Sequence, residues 1–165
     1  MKLRFRHLAG VTTALTFALI LLGVYTGAVG AGLACEARWP FCDGWLGLFP
    51  ANWPSFVEWF HRLVAMVTGF AILGTTYAAW RHDHEDRIRF ASVVALAVLP
   101  AQVLLGANTI LNFGVWAQVA HHAAALTILV AMVVATVWAF DEPRNGRPAE
   151  AETGAASEAG ANADD

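Results

Sequence analysis

Apolar residues run along this chain in four long blocks, not in the alternating stripes of a half-buried sheet. The blocks cover about residues 8–30, 56–79, 88–110 and 117–140, each 23 or 24 residues long. Roughly 20 apolar residues in a helix cross the ~30 Å hydrocarbon core of a bilayer. In lipid the backbone must satisfy its own hydrogen bonds, which selects helices over open strands. The pattern predicts an all-α integral membrane protein, a bundle of four transmembrane helices within residues 1–140. From residue 141 the chain turns to Ala, Gly, Glu and Asp, with no aromatic side chain left. Residues 141–165 are expected to form a disordered acidic cytoplasmic tail, too poor in apolar surface to fold.

Composition agrees with a membrane class. The chain is 58% hydrophobic and 14% charged, with a mean hydropathy of +0.52; a soluble domain carries roughly a quarter charged residues. The formal net charge of −3 owes much to the tail. No basic run offers a nucleic acid a partner, so the surrounding lipid is the first one expected. Lys2, Arg4, Arg6, Arg81, Arg87, Arg89, Arg144 and Arg147 fall on one side of the four blocks, and only Arg38 and Arg62 on the other. The positive-inside rule then places both termini in the cytoplasm of a multi-pass cell-membrane protein. Segments 31–55 and 111–116 face outward. The basic start and the Gly32-Leu33-Ala34-Cys35 box faintly suggest a cleaved signal, but the first block is too long for a signal h-region.

The two halves of the chain also resemble each other. Leu21-Leu22-Gly23 near the outer end of the first block has a counterpart in Leu104-Leu105-Gly106 of the third. In each half an outer loop and a histidine-bearing helix follow. This suggests two helix pairs related by a pseudo-twofold axis, an arrangement common in membrane proteins.

Candidate chemistry gathers at the outer side. Cys35 and Cys42 are the only cysteines, and on an oxidising face they are expected to pair as a disulfide. Such a bond is either a staple holding the long loop or a redox couple for another reactant. Two cysteines without a nearby histidine make at best half a zinc site. His61 lies about five residues into the second helix and His121 about five into the fourth. Both helices start outside, so the imidazoles reach one level, roughly 7 Å down the axis. An ionisable group inside the membrane costs about 2.5–3.5 kcal/mol on insertion scales and usually marks function. Two imidazoles at matched depth are what bis-histidine ligation of a haem iron requires; a lone one would read as an interfacial residue. His122 points about 100° away from His121, so one of the two faces a given haem and the other a neighbour.

Glu58 precedes His61 by three residues, which puts the two on one helical face, and Arg62 by four, which allows a Glu58–Arg62 ion pair. The plain reading is an ion pair at the membrane boundary. The functional reading has Glu58 acting on substrate or protons, with Arg62 meeting a haem propionate. Trp39, Trp45, Trp53, Trp59 and Trp116 form an aromatic belt at the outer interface. His82 and His84 sit in a polar loop, Arg81-His-Asp-His-Glu-Asp-Arg87, and read as solvated.

Trp39-Pro40-Phe41-Cys42-Asp43-Gly44, then Glu58-x-x-His61-Arg62, then Gln102-x-x-Leu105-Gly106-Ala107-x-Thr109 and the Val-Ala-His-His run at 119–122 together resemble the haem A synthase family. The resemblance covers about residues 20–130, in order. It implies oxidation of a methyl group of haem O to the formyl group of haem A, for cytochrome oxidase biogenesis. It also implies His61 and His121 as axial iron ligands with His122 the alternative, Glu58 as the catalytic carboxylate, Arg62 at the haem, and Cys35–Cys42 as the loop cysteine pair. The cofactor would be haem b, substrate haem O, or both. Typical members have eight helices in two such halves; this chain has one half. A homodimer, or pairing with another half, would restore the larger form. A haem O synthase and an electron donor are the further partners implied.

A six-coordinate haem suits electron transfer, so oxidation of a methyl group requires one histidine able to leave the iron. Without turnover the same site would serve a cytochrome b-type electron carrier or a haem-handling assembly factor. A quinone-linked thiol oxidase also has four helices and outer cysteines, but needs a Cys-x-x-Cys that is absent here.

Overall fold

A computed structural model describes residues 5–36, 38–112 and 114–142 of the chain. The expected tail, 143–165, lies outside the described residues. Four helices account for most of what is described: α1 (Phe5–Ala28), α2 (Trp53–Arg81), α3 (Asp86–Leu111) and α4 (Val115–Asp141). Among the described residues there is no β-strand. All four helices are long and apolar enough to cross a membrane, and their 24 to 29 residues correspond to roughly 36–44 Å.

The ends follow local rules. The chain leaves α1 through Gly30, whose φ of +71° is a left-handed conformation that costs glycine little. Asn52 starts α2 as N-cap, its Oδ1 accepting the Ser55 N–H at 3.0 Å, with Pro54 in the first turn. Pro100 lies inside α3; neighbouring helices make such a break in the ladder tolerable in membranes.

Each helix packs chiefly against two others, in the ring α1–α2–α3–α4. Ile72, Ala95, Ile128, Ala131 and Met132 form the main buried cluster. Threonines tie the remaining seams: Thr12 Oγ1 lies 2.9 Å from Thr75 Oγ1, and Thr13 Oγ1 lies 2.8 Å from Thr136 Oγ1. The Thr76 hydroxyl donates to the Ser92 carbonyl at 3.0 Å, joining α2 to α3. Such bonds contribute about 0.6 kcal/mol each inside a bilayer, so they set register more than overall stability. Large apolar side chains such as Phe17, Phe70, Leu104 and Val130 point out of the bundle, as lipid-facing positions require.

At the α2–α3 turn the expected solvation of His84 does not hold. Its Nδ1 lies 2.6 Å from Glu142 Oε2, and its ring stacks on Phe5 at 4.1 Å. The other Glu142 oxygen accepts the Glu85 N–H at 3.1 Å. The His84 ring and the Glu142 carboxylate together thus tie the start of α1, the α2–α3 turn and the residue after α4.

Candidate functional site

The site begins in the loop between α1 and α2. Cys35 and Cys42 are joined by a disulfide and are buried, at 1% and 2% exposure. Both sulfurs rest 3.8 Å from the Ser55 carbonyl oxygen, against the first turn of α2. The Ser55 hydroxyl donates to Asp43 Oδ2 at 2.6 Å, and this bond holds the Asp43 carboxyl below the usual carboxylate range. Gly44 is obligatory by space: a Cβ there would stand 1.6 Å from the Phe49 carbonyl oxygen. The sulfurs and the Asp43 carboxylate cluster within 4.8 Å, but bonded sulfurs are not thiolate ligands, so the group does not make a metal site.

Arg62 fastens this loop to α2. Its Nε donates to Glu58 Oε1 at 2.8 Å, and its Nη1 donates to the carbonyls of Phe41 at 2.9 Å and Pro40 at 3.2 Å. The i, i+4 pair expected from the spacing is present, and it is buried: the Arg62 and Glu58 side chains are 16% and 6% exposed. Arg62 therefore has an engagement that its sequence neighbourhood does not reveal. Its Nη2 is buried without a partner among the described residues.

His61 follows one turn further in, with its ring against α1 at Gly23. His121 projects from α4 with its ring against α3 at Gly106. Nδ1 of each is buried with no hydrogen-bond partner among the described residues. Gln102 Nε2 lies 3.4 Å from His121 Nε2, and the Gln102 Oε1 is itself buried and unpaired.

His122 is turned away. Its ring stands 6.1 Å from that of His121 at an interplanar angle of 89°. Its Nδ1 donates to the Gln118 carbonyl at 2.8 Å. It borders an open groove of about 530 Å³ with Val115, Gln118, Val119, Ala123 and Leu126, on the outer face of α4. The structure thus brings Glu58, His61, Arg62 and the disulfide loop to one end of the bundle with His121, and turns His122 away from them. Trp45, Trp53 and Trp116 are widely exposed there.

Two half-buried imidazoles, each with its Nδ1 buried and unpartnered among the described residues, and the Arg62 guanidinium one residue after His61 suit an iron porphyrin. Imidazole nitrogen is a good iron ligand, and arginine is a good carboxylate partner. Sequence reasoning assigned no role to Gln102. Its quoted motif placed it one turn before Gly106, but only packing shows that it reaches His121.

Comparison with known proteins identifies the lineage. The family described as Cytochrome oxidase assembly protein matches residues 45–133. The chain is 28% identical to a Heme A synthase of Bacillus licheniformis, over 80% of this chain and 44% of that protein. It is 32% identical to a Heme A synthase of Shouchella clausii, over 61% of this chain and 34% of that protein. It is also 35% identical to a Protoheme IX farnesyltransferase of Halobacterium salinarum, over 80% of this chain and 30% of that protein. The chain therefore spans less than half the length of each of these relatives. Four membrane-spanning helices and this match make it a multi-pass membrane protein, and the chain belongs to the cytochrome oxidase assembly protein family that includes the haem A synthases.

Proposed function

We propose that this chain is a haem A synthase-like membrane oxidoreductase that oxidises a methyl group of haem O to a formyl group for cytochrome oxidase biogenesis. The observation that carries the reading is the pair of half-buried imidazoles with buried, unpartnered Nδ1 atoms, His61 on α2 and His121 on α4, in a chain of this family. These two residues would hold the haem iron near the outer face, and the orientation of His121 favours it over His122. When bound, the haem supplies redox chemistry or is itself the molecule oxidised.

The chain's own groups supply the rest. Converting methyl to formyl adds one oxygen atom, here from water, and releases four protons and four electrons (R–CH3 + H2O → R–CHO + 4 H+ + 4 e−). The electrons pass to an external oxidant such as dioxygen, and the protons need an acceptor beside the porphyrin edge. Glu58 is the buried carboxylate of the site, and with Oε1 held by Arg62 its Oε2 is the atom to take a proton. The buried pair also keeps the carboxylate in one place, which general-base catalysis demands. Arg62 Nη2, lacking a partner, would meet a propionate while Nη1 keeps the loop closed over the site. The disulfide serves as a staple: cysteine residues only 1% and 2% exposed are poorly placed for exchange with another protein. Two cytoplasmic termini, a homodimer or a second half, a haem O synthase and an electron donor complete the reading. The relative named for farnesyl transfer to protohaem IX supports a partner that supplies farnesylated haem.

Paired variants test this. Glu58→Gln is expected to keep haem at wild-type occupancy while product formation falls at least ~100-fold, the scale of losing a positioned base. His61→Ala is expected to lose the haem. Full haem occupancy in His61→Ala would overturn the ligand assignment. Unchanged turnover in Glu58→Gln would leave a haem-binding carrier without the proposed base.

A further inference from the structure

Beneath the histidines the two halves of the bundle repeat a motif longer than the three residues that first suggested duplication. Leu21-Leu22-Gly23-Val24-Tyr25-Thr26 in α1 matches Leu104-Leu105-Gly106-Ala107-Asn108-Thr109 in α3 at Leu, Leu, Gly and Thr. Both threonine hydroxyls are turned back on their own helix, Thr26 onto Leu22 O at 2.8 Å and Thr109 onto Gly106 O at 2.7 Å. The glycines face imidazoles in the same way. A Cβ built on Gly23 would stand 3.0 Å from Cε1, 3.7 Å from Nδ1 and 3.8 Å from Nε2 of His61. On Gly106 the same three atoms of His121 would be 3.1, 3.6 and 3.9 Å away.

Other glycines in these helices behave differently. Gly27 in α1 and Gly74 in α2 have nothing within 4 Å of a built Cβ, and Gly69 meets only Leu99 Cδ2 at 3.6 Å. A glycine that exists to bring two helices together would meet the neighbour's backbone. Gly23 and Gly106 meet a ring, and both meet it first at the carbon between its two nitrogens.

We infer that Gly23 and Gly106 are the positioning residues of the imidazole pair, one seat per histidine, each fixing the direction of its ring nitrogens toward an iron porphyrin. The inference rests on the haem reading above. Cε1 lies between Nδ1 and Nε2, so a ring seated by that carbon cannot tilt without moving both nitrogens. A methyl group at either seat would force the ring to give by a few tenths of an ångström. Ligating groups must be held within about 0.5 Å and 10–20° of their productive geometry, so a shift of a few tenths of an ångström uses up much of that margin and weakens ligation without abolishing it. The matched distances predict matched effects at the two seats.

The test compares Gly23→Ala and Gly106→Ala with Gly27→Ala and Gly74→Ala in the full-length protein. The probe is haemin, followed by optical titration and by the ferric electron paramagnetic resonance spectrum. Wild type and the two control variants should give the low-spin spectrum of two axial imidazoles. Each seat variant should bind haemin about tenfold more weakly, in line with losses seen when support for a metal ligand is removed. Each should also show shifted g values or a high-spin fraction.

A further pair guards against simple misfolding. His61→Gly, alone or combined with Gly23→Ala, is measured with free imidazole, which is not tied to α2. If Gly23 acts only through the His61 ring, the two proteins should bind haemin within about threefold of each other, well inside the tenfold scale above. A Gly23→Ala deficit that persists with free imidazole would overturn the positioning role. Seat variants with wild-type affinity and g values, beside a low-spin wild type, would overturn it while leaving the haem reading intact. A wild type that binds no haemin would remove the haem reading and this inference with it.

Discussion

Replacing Arg62 with methionine should unfasten the outer loop and strand a carboxylate, and the size of the effect follows from the contacts. Arg62 gives Glu58 an Nε–Oε1 bond of 2.8 Å and gives the loop carbonyls of Phe41 and Pro40 bonds of 2.9 and 3.2 Å. Removing one member of a buried ion pair costs about 3–5 kcal/mol, because the remaining charge stays desolvated. The two carbonyl bonds are exposed, so those acceptors can turn to water and add little. With Arg62 at 16% exposure, the lower end applies, and Arg62→Met should cost ~3 kcal/mol. Glu58→Gln should cost only about 1 kcal/mol, since an amide oxygen still accepts from Nε. The double variant has no charge left to strand, so its cost should fall short of the sum of the single effects by about 1–2 kcal/mol. Equilibrium unfolding in mixed micelles, run as a double-mutant cycle, measures all four proteins. Additive costs, or a loss below about 1 kcal/mol for Arg62→Met, would refute the claim that this pair is buried and coupled.

Three other perturbations probe the loop. Reducing Cys35–Cys42, or replacing both cysteines with serine, releases a short closed loop and should destabilise by ~2.5 kcal/mol on the chain-entropy account; a thermal transition unmoved by reductant would contradict the staple. The Asp43 carboxyl is held low by the Ser55 hydroxyl, so its contribution is present above the unfolded value near 3.9 and is lost as pH falls through the lower folded value. Asp43→Asn should therefore remove an acid-side loss of loop order that wild type shows below about pH 4, read by fluorescence of Trp39 and Trp45; identical acid limbs would refute it. Gly44→Ala places a methyl 1.6 Å from the Phe49 carbonyl oxygen and should expose the disulfide to mild reductant, whereas unchanged reduction kinetics would show that the turn relaxes freely.

The helices were legible because a membrane span is a matter of length and apolarity alone. Their ends were less so. The second apolar block reads from residue 56, whereas α2 begins at Trp53, because the Asn52 cap and Pro54 extend the helix into polar sequence. The last block reads to 140, and Glu142 just beyond it makes the clasp with His84; a partner 58 residues away leaves no local mark. His61 and His121 were visible by matched depth on two helices, and Glu58 and Arg62 by their spacing around His61 on one. What Arg62 holds was not, since the Pro40 and Phe41 carbonyls belong to backbone 22 and 21 residues earlier. Gly23 and Gly106 stood out as a weak repeat, and their meaning came only from the helices that pack against them. Gln102 gave no signal of its own, because an amide beside a histidine is a tertiary contact.

The account turns on the haem recovered from this chain when it is purified after co-expression with a source of haem O. Chromatography of the extracted pigment is predicted to show haem A or its hydroxylated intermediate. Protein that carries only haem B or haem O would contradict the proposed oxidation, and protein that carries no haem would contradict the roles assigned to His61 and His121.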